Sequence, residues 1–131
     1  MDDYCININN KKIRLPRSGN FSARISEGIL FTGIISGSIT YSTETNKHNL
    51  KASEKDCKKI IDDLTQSTEW IFPAIRSIGE LLSAVDREEL DDSTLANTGY
   101  LISALTNLLN STLHTIKRVE YSLEDNKEQP Q

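Results

Sequence analysis

The sequence predicts an α+β domain in which a short N-terminal β-hairpin or meander precedes a long antiparallel helical hairpin. Three patterns lead to this prediction. Apolar and polar residues alternate in much of the region up to residue 41, whereas apolar residues recur every three or four positions over 53–85 and again over 93–123. A chain of 131 residues suits one domain with one core. We therefore expect a single domain over 1–131 that is mostly helical.

The β segment is predicted over residues 1–41. Apolar residues alternate with others on both sides of Asn9-Asn10, a pair that favours a turn, and Pro16 ends the pattern. From residue 29 to 41 the odd positions are mostly apolar and the even positions mostly polar, which is typical of a strand with one buried face. We expect two strands there with a turn near residues 36–38, and a polar linker over 42–52.

The first long helix is predicted to begin at Ser53, which opens a capping-box-like sequence with Asp56 in the place of the usual Glu or Gln. Nine positions then follow at alternating spacings of four and three: Cys57, Ile61, Leu64, Thr68, Ile71, Ile75, Ile78, Leu82 and Val85. Such a repeat is the seam of a helix packed along its length on another helix, as in a coiled coil. Pro73 predicts either a bend in this helix or its division into two nearly collinear helices.

The second long helix is predicted to follow the acidic residues 86–92, with N-cap candidates at Asp91, Asp92 and Ser93. Its seam steps by three and four through Leu95, Thr98, Ile102, Leu105, Leu109, Thr112, Ile116, Val119 and Leu123. We expect residues 53–123 to form the helical hairpin and residues 124–131 to be a frayed polar tail.

Three further leucines make the apolar face of the second helix wider than one partner helix can cover. They are Leu101, Leu108 and Leu113. The β segment, a second copy of the chain or another protein could cover them, and a homodimer is the favoured expectation. Trp70, the single tryptophan, is interpreted either as a core residue near Pro73 or as an anchor for a partner.

The charges are unevenly distributed. Residues 1–51 contain seven Lys or Arg and four acids, whereas residues 52–131 contain eight and fifteen, which gives +3 and −7 and a net charge of −4. The N-terminus has no basic start followed by an apolar run, and the longest apolar-leaning stretch, 28–39, is shorter than the roughly 20 residues that span a bilayer. We therefore expect a cytoplasmic protein, with Cys5 and Cys57 as thiols.

No catalytic, metal-binding or cofactor-binding motif is recognisable in the sequence. His48 and His114 have no partners at metal-ligand spacing, and glycine-rich phosphate loops and nucleophile elbows are missing. We expect a protein without catalytic activity or a cofactor, a small regulator or inhibitor that binds a protein partner through its acidic helices. The alternative is a dimeric nucleic-acid-binding regulator that contacts phosphates through Lys11, Lys12, Arg14 and Arg17.

Overall fold

The computed structural model describes residues 4–17, 19 and 21–127. Its elements, in chain order, are β1 (Cys5–Ile8), β2 (Lys11–Arg14), α1 (Phe21–Ser38), β3 (Thr40–Ser42), β4 (Lys47–Asn49), α2 (Glu54–Ala84), a 3₁₀ turn (Arg87–Glu89) and α3 (Asp92–Lys127). The predicted α+β class is confirmed: a β-hairpin precedes two long helices that pack against each other.

The first hairpin has the register that its sequence predicts. β1 and β2 are antiparallel, with Ile6 opposite Ile13. Asn9 and Asn10 connect the strands with φ angles of 54° and 65°. A two-residue hairpin turn of type I′ requires this left-handed conformation at both positions, and asparagine tolerates it better than most residues. Ile6 and Ile8 are buried, so one face of the hairpin contributes to the core.

The prediction of two strands over residues 29–41 is wrong, because residues 21–38 form the helix α1. The buried residues Phe31, Ile35 and Ile39 are four positions apart. That spacing fits both one side of a strand and one side of a helix, so these three residues cannot distinguish the two structures. Arg24 and Thr32 are buried as well, at helical spacing. Packing on α2 and α3 therefore outweighs the weak helix propensity of the glycines and β-branched residues in this segment.

The predicted linker over 42–52 is also wrong in part, because β3 and β4 form a second antiparallel hairpin. Asn46 has a φ of 56°, and the Thr45 N–H donates to Ser42 Oγ at 3.3 Å, so the turn is held locally. The Leu50 N–H donates to Ser122 Oγ at 3.0 Å and thereby fastens the chain after β4 to α3. A ribbon this short with mostly exposed side chains leaves almost no hydrophobic pattern in the sequence.

The long helices begin where the sequence predicts. The Asp56 N–H donates to Ser53 Oγ at 3.1 Å, and the Thr94 N–H donates to Asp91 Oδ1 at 2.6 Å, so both helices have side-chain N-caps. α2 continues through Pro73 as one helix, which was one of the two expected outcomes. α3 extends to Lys127, past the predicted start of the frayed tail, and residues 128–131 lie outside the described residues.

The core is thick at one end of the helical hairpin and thin at the other. The larger cluster joins β1, α1, α2 and α3 through ten residues: Ile6, Ile8, Phe31, Ile35, Ile39, Leu50, Cys57, Ile60, Leu64 and Val119. The smaller cluster has only three buried residues, Ile71, Leu105 and Leu109, with Ile25 packed against it. α1 has 18 residues against 31 and 36 in α2 and α3, so at about 1.5 Å per residue it covers only part of the hairpin.

Candidate functional site: an apolar groove in the helical hairpin

A groove of about 820 Å³ lies between α2 and α3 where α1 stops covering them. We call it the distal groove. Its apolar lining includes Ile25, Trp70, Ala74, Ile78, Leu101 and Leu105. Ile25 belongs to the first turns of α1 and forms one end of the groove, while α2 and α3 form its two walls. The groove therefore lies beside the first turns of α1.

The lining of the distal groove is only partly covered. Leu101 is 51% exposed and Trp70 is half-buried, whereas Leu105 below them is 8% exposed. The exposed aromatic side chains of Phe72 and Tyr100 are close in sequence but do not line the groove. An exposed leucine and a half-buried tryptophan beside an apolar lining are typical of a binding site.

Pro73 interrupts the hydrogen-bond pattern of α2 beside this apolar site. Because proline has no N–H, it cannot donate the helical hydrogen bond that the carbonyl of Glu69 would otherwise accept. Glu69 and Pro73 both line the groove, so an acidic residue stands among its mostly apolar lining.

The end of the helical hairpin next to the groove is acidic. The charged residues of the connection and the adjoining turns include Glu80, Asp86, Glu88, Glu89, Asp91 and Asp92, all of them exposed. Hydrogen bonds from Thr94, the backbone N–H first, lower the pKa of Asp91, so this carboxylate is ionised at neutral pH. The cations of this region are Arg76, which pairs with Glu80 at 3.2 Å, and Arg87, so the six acids outnumber them. The electrostatic field at this end of the molecule is therefore negative.

The four residues predicted as a partner surface do not form one surface. Trp70 and Leu101 line the distal groove together, whereas Leu108 is half-buried and packs against the smaller core cluster. Leu113 is 42% exposed and does not line the groove. Sequence reasoning missed Ile25 as a groove residue, because only the docking of α1 brings it there. Ile78 and Leu105 were predicted as seam residues of α2 and α3, but the sequence does not indicate a groove between them.

The predicted basic contact residues lie on and after β2. Lys11, Lys12 and Arg14 are exposed, but successive side chains of a strand point to opposite faces, so Lys11 is not on the face of the other two. The Arg17 guanidinium lies over the Tyr4 ring, with Cζ 3.2 Å from the ring centroid, and the Arg17 N–H donates to Glu27 at 3.0 Å. The four cations are thus not presented as a single stripe.

A buried ion pair connects α1 to α2 beneath a second, more polar cavity of about 460 Å³. Arg24 Nη2 and Asp63 Oδ1 are 3.2 Å apart, and their side chains are 5% and 8% exposed. Burial raises the pKa of Asp63 to about 6; Arg24 opposes this shift and Glu27 adds to it. Asp63 Oδ2 and Arg24 Nη1 have no hydrogen-bond partner among the described residues. The pair is therefore costly to bury and sensitive to change.

Other reactive groups are held in unreactive settings. Burial, together with Asp56 and Glu54, raises the pKa of the Cys57 thiol to about 11, so it is not a thiolate at neutral pH. His48 lies between the rings of Tyr41 and Tyr121. Within the described ranges, no cluster of three or more His, Cys, Asp or Glu residues is arranged to hold a metal ion.

Comparisons with known proteins give no lead to function. The sequence matches no protein-family model, and it has no match among curated proteins or among solved structures. In the part of the chain that the structure describes, no helix combines the length and apolar character needed to cross a membrane.

Proposed function

We propose that this protein is a non-enzymatic regulator or inhibitor that binds an amphipathic helix of a protein partner in the distal groove. The observation that carries the proposal is the groove itself: about 820 Å³, mostly apolar, and open between two helices. An amphipathic helix laid in a hydrophobic groove is a recurrent mode of recognition.

The fold already contains a model for the occupant. At the thick end of the core, α1 packs against both α2 and α3. Near Ile25, in the first turns of α1, the same two helices form the walls of the distal groove. A partner helix in the distal groove would occupy the position that α1 occupies further along. It would cover Leu101 and Trp70, and a half-buried tryptophan is a common centre of binding energy.

The charges at this end select the kind of helix. The acidic residues of the connection attract a helix with basic residues beside its apolar face and repel an acidic one. This attraction speeds the encounter and weakens as salt increases. The two thiols fit a reducing compartment, so we further propose a cytoplasmic location.

The fluorescence of the single tryptophan provides a direct test. Trp70 emission is measured during titration with a synthetic amphipathic peptide that has leucines on one face and lysines beside them. We expect a saturable blue shift that weakens with salt. A peptide of the same composition with a scrambled apolar pattern should give none, and a peptide with glutamates in place of lysines should bind at least about tenfold more weakly.

A matched pair of variants locates the binding. Leu101→Asp puts a charge in the groove at a half-exposed position, and Leu30→Asp puts one on α1 at a leucine that is 69% exposed and does not line the groove. We expect Leu101→Asp to abolish the titration and Leu30→Asp to leave it unchanged. Equal binding by wild type and Leu101→Asp would contradict the proposal.

Nucleic-acid binding is the competing proposal, supported by the exposure of Lys11, Lys12 and Arg14 on β2. It predicts that wild type shifts DNA or RNA at physiological salt and that replacing Lys11, Lys12, Arg14 and Arg17 by alanine removes the shift. The groove proposal predicts no shift to remove. A salt-sensitive shift that the alanine variant loses, together with no peptide titration, would favour the nucleic-acid function.

A further inference from the structure

Two long segments of the chain contain no Asp, Glu, Lys or Arg, although 26% of all residues are charged. They are residues 28–43, which include most of α1, and residues 93–116, which include the first two thirds of α3. Neither helix is buried throughout, so burial does not explain the missing charges. Surface helices ordinarily have charged residues on their outer side.

The fold brings the two segments together. α1 packs against α3, and a groove of about 420 Å³ runs between them. We call the surface around this groove the neutral face, defined by six exposed residues: Ile29, Gly33, Tyr100, Ala104, Asn107 and Ser111. Ile29 is 52% exposed and Tyr100 is 73% exposed. The four α3 residues follow one another at spacings of four, three and four, so they lie on one side of the helix.

A buried hydroxyl gives a second, independent indication that something binds here. Thr32 lines the same groove and is 4% exposed. Its Oγ1 has no hydrogen-bond partner among the residues that the structure describes. Leaving a buried polar group unpaired is unfavourable, and an occupant with a polar side chain can relieve that cost.

We propose that the neutral face is the surface through which two copies of this chain associate. In a two-fold symmetric interface, residues near the axis meet their own counterparts, so a charged residue there would oppose a like charge. Each copy also has a net charge of −4, which disfavours association through any acidic surface. A surface without charges avoids both penalties. A strongly charged partner, by contrast, would gain no electrostatic attraction from it.

The composition of the face suits close packing of its own copy. Gly33, Ala104 and Ser111 are small, so two helices can approach closely across them, while Ile29 and Tyr100 supply apolar area. Asn107 of the second copy brings an amide, which can hydrogen-bond with a threonine hydroxyl. Of the three leucines predicted as a dimer surface, only Leu108 lines this groove; Leu101 and Leu113 do not.

Self-association through the neutral face uses a groove other than the proposed partner site. No residue lines both the α1–α3 groove and the distal groove. The dimer therefore does not rest on the proposed function, and the two can fail separately.

Sedimentation velocity of the full chain, from low to high micromolar concentration, tests the proposal. Wild type should be a dimer. Ser111→Glu and Ser111→Lys should each raise the dimer Kd by about tenfold or more, because like charges then face each other across the interface. An equimolar mixture of the two variants should regain the wild-type affinity as a heterodimer. Ser83→Glu, at an exposed serine of α2 away from the face, should dimerise like wild type.

Several outcomes would overturn the assignment. They are a monomeric wild type at high micromolar concentration, Ser111 variants that dimerise as well as wild type, or a mixture that stays monomeric while each variant is folded by circular dichroism. If a Ser111 variant does not fold, the pair Asn107→Asp and Asn107→Lys makes the same comparison. Retained binding of the basic amphipathic peptide by monomeric Ser111→Glu would show that peptide binding does not depend on the dimer.

Discussion

Replacing Arg24 by methionine tests the energetics of the buried pair that joins α1 to α2. Methionine keeps an unbranched apolar side chain of similar length but removes the guanidinium that is 3.2 Å from Asp63 Oδ1. The Asp63 carboxyl then has no counter-charge in a setting where its side chain is 8% exposed. We expect the pKa of Asp63 to rise further, because Arg24 is the group that opposes the effect of burial.

The size of the effect follows from the cost of keeping this carboxyl neutral. With a pKa of 3.8 in the unfolded chain, protonating Asp63 at pH 7.5 costs about 5 kcal/mol. In wild type, a folded pKa of about 6 limits the cost of burial to about 3 kcal/mol at that pH. We expect removal of Arg24 to raise the folded pKa of Asp63 above 7.5, and the variant then loses up to about 2 kcal/mol more than wild type.

The pH dependence has a definite sign. The folded pKa lies above the unfolded pKa, so the folded state binds the proton more tightly and this group favours folding most at low pH. In wild type, the contribution of Asp63 to the free energy of unfolding is lost as pH rises from about 4 to 6. In Arg24→Met the folded pKa is higher, so the loss continues to a higher pH. At pH 5.0 Asp63 is largely protonated in both folded proteins, so the extra loss that arises from ionisation should nearly vanish.

Urea denaturation at pH 7.5 and pH 5.0 measures this difference. The double variant Arg24→Met/Asp63→Asn is the control, since it removes the titrating group, and its loss relative to Asp63→Asn alone should be the same at both pH values. A loss for Arg24→Met that does not change with pH would refute the reasoning, because the destabilisation would then come from packing alone.

Three further outcomes are expected from the core. Leu105→Asp should lower the free energy of unfolding by more than about 3 kcal/mol in urea, because it buries an unpaired charge between the long helices. Ser122→Ala should cost about 1–3 kcal/mol by leaving the buried Leu50 N–H without its acceptor, and full wild-type stability would contradict that role. Alkylation by iodoacetamide, followed by mass spectrometry, should modify Cys57 much more slowly than Cys5, since the Cys57 thiol is buried with a pKa of about 11; equal rates would mean that the core opens readily.

The long helices were predictable because each combines a capping residue with a regular repeat. Ser53 and Asp91 mark their starts, and the seam positions recur every three or four residues along each helix, although Val85, the last of the first seam, lies outside α2 and is 39% exposed. A repeat of this length still predicts a helix when one of its positions is polar, as Thr68 is. The first hairpin was predictable for a similar reason, since alternation on both sides of Asn9-Asn10 indicates strands joined by a turn.

The remainder of the fold depends on contacts that local patterns do not record. Spacings of four between Phe31, Ile35 and Ile39 fit a strand and a helix equally, and only docking on α2 and α3 decides between them. The pair of Arg24 and Asp63 is separated by 39 residues, so neither local sequence indicates a partner. The distal groove was missed for the same reason: its existence depends on where α1 begins relative to two helices that are distant in sequence.

The fastening of α3 to the second hairpin has a consequence for the order of folding. Hydrogen bonds from the N–H groups of His48 and Leu50 reach Asp125 and Ser122, across separations of 77 and 72 residues. Bringing residues this far apart in sequence into contact costs more entropy than pairing α2 with α3 next to the short segment that connects them. The end of the hairpin that can form early is thus the thin end, which few buried side chains stabilise. In the native protein this end should open locally most often, so its amide protons should exchange earliest along the two helices.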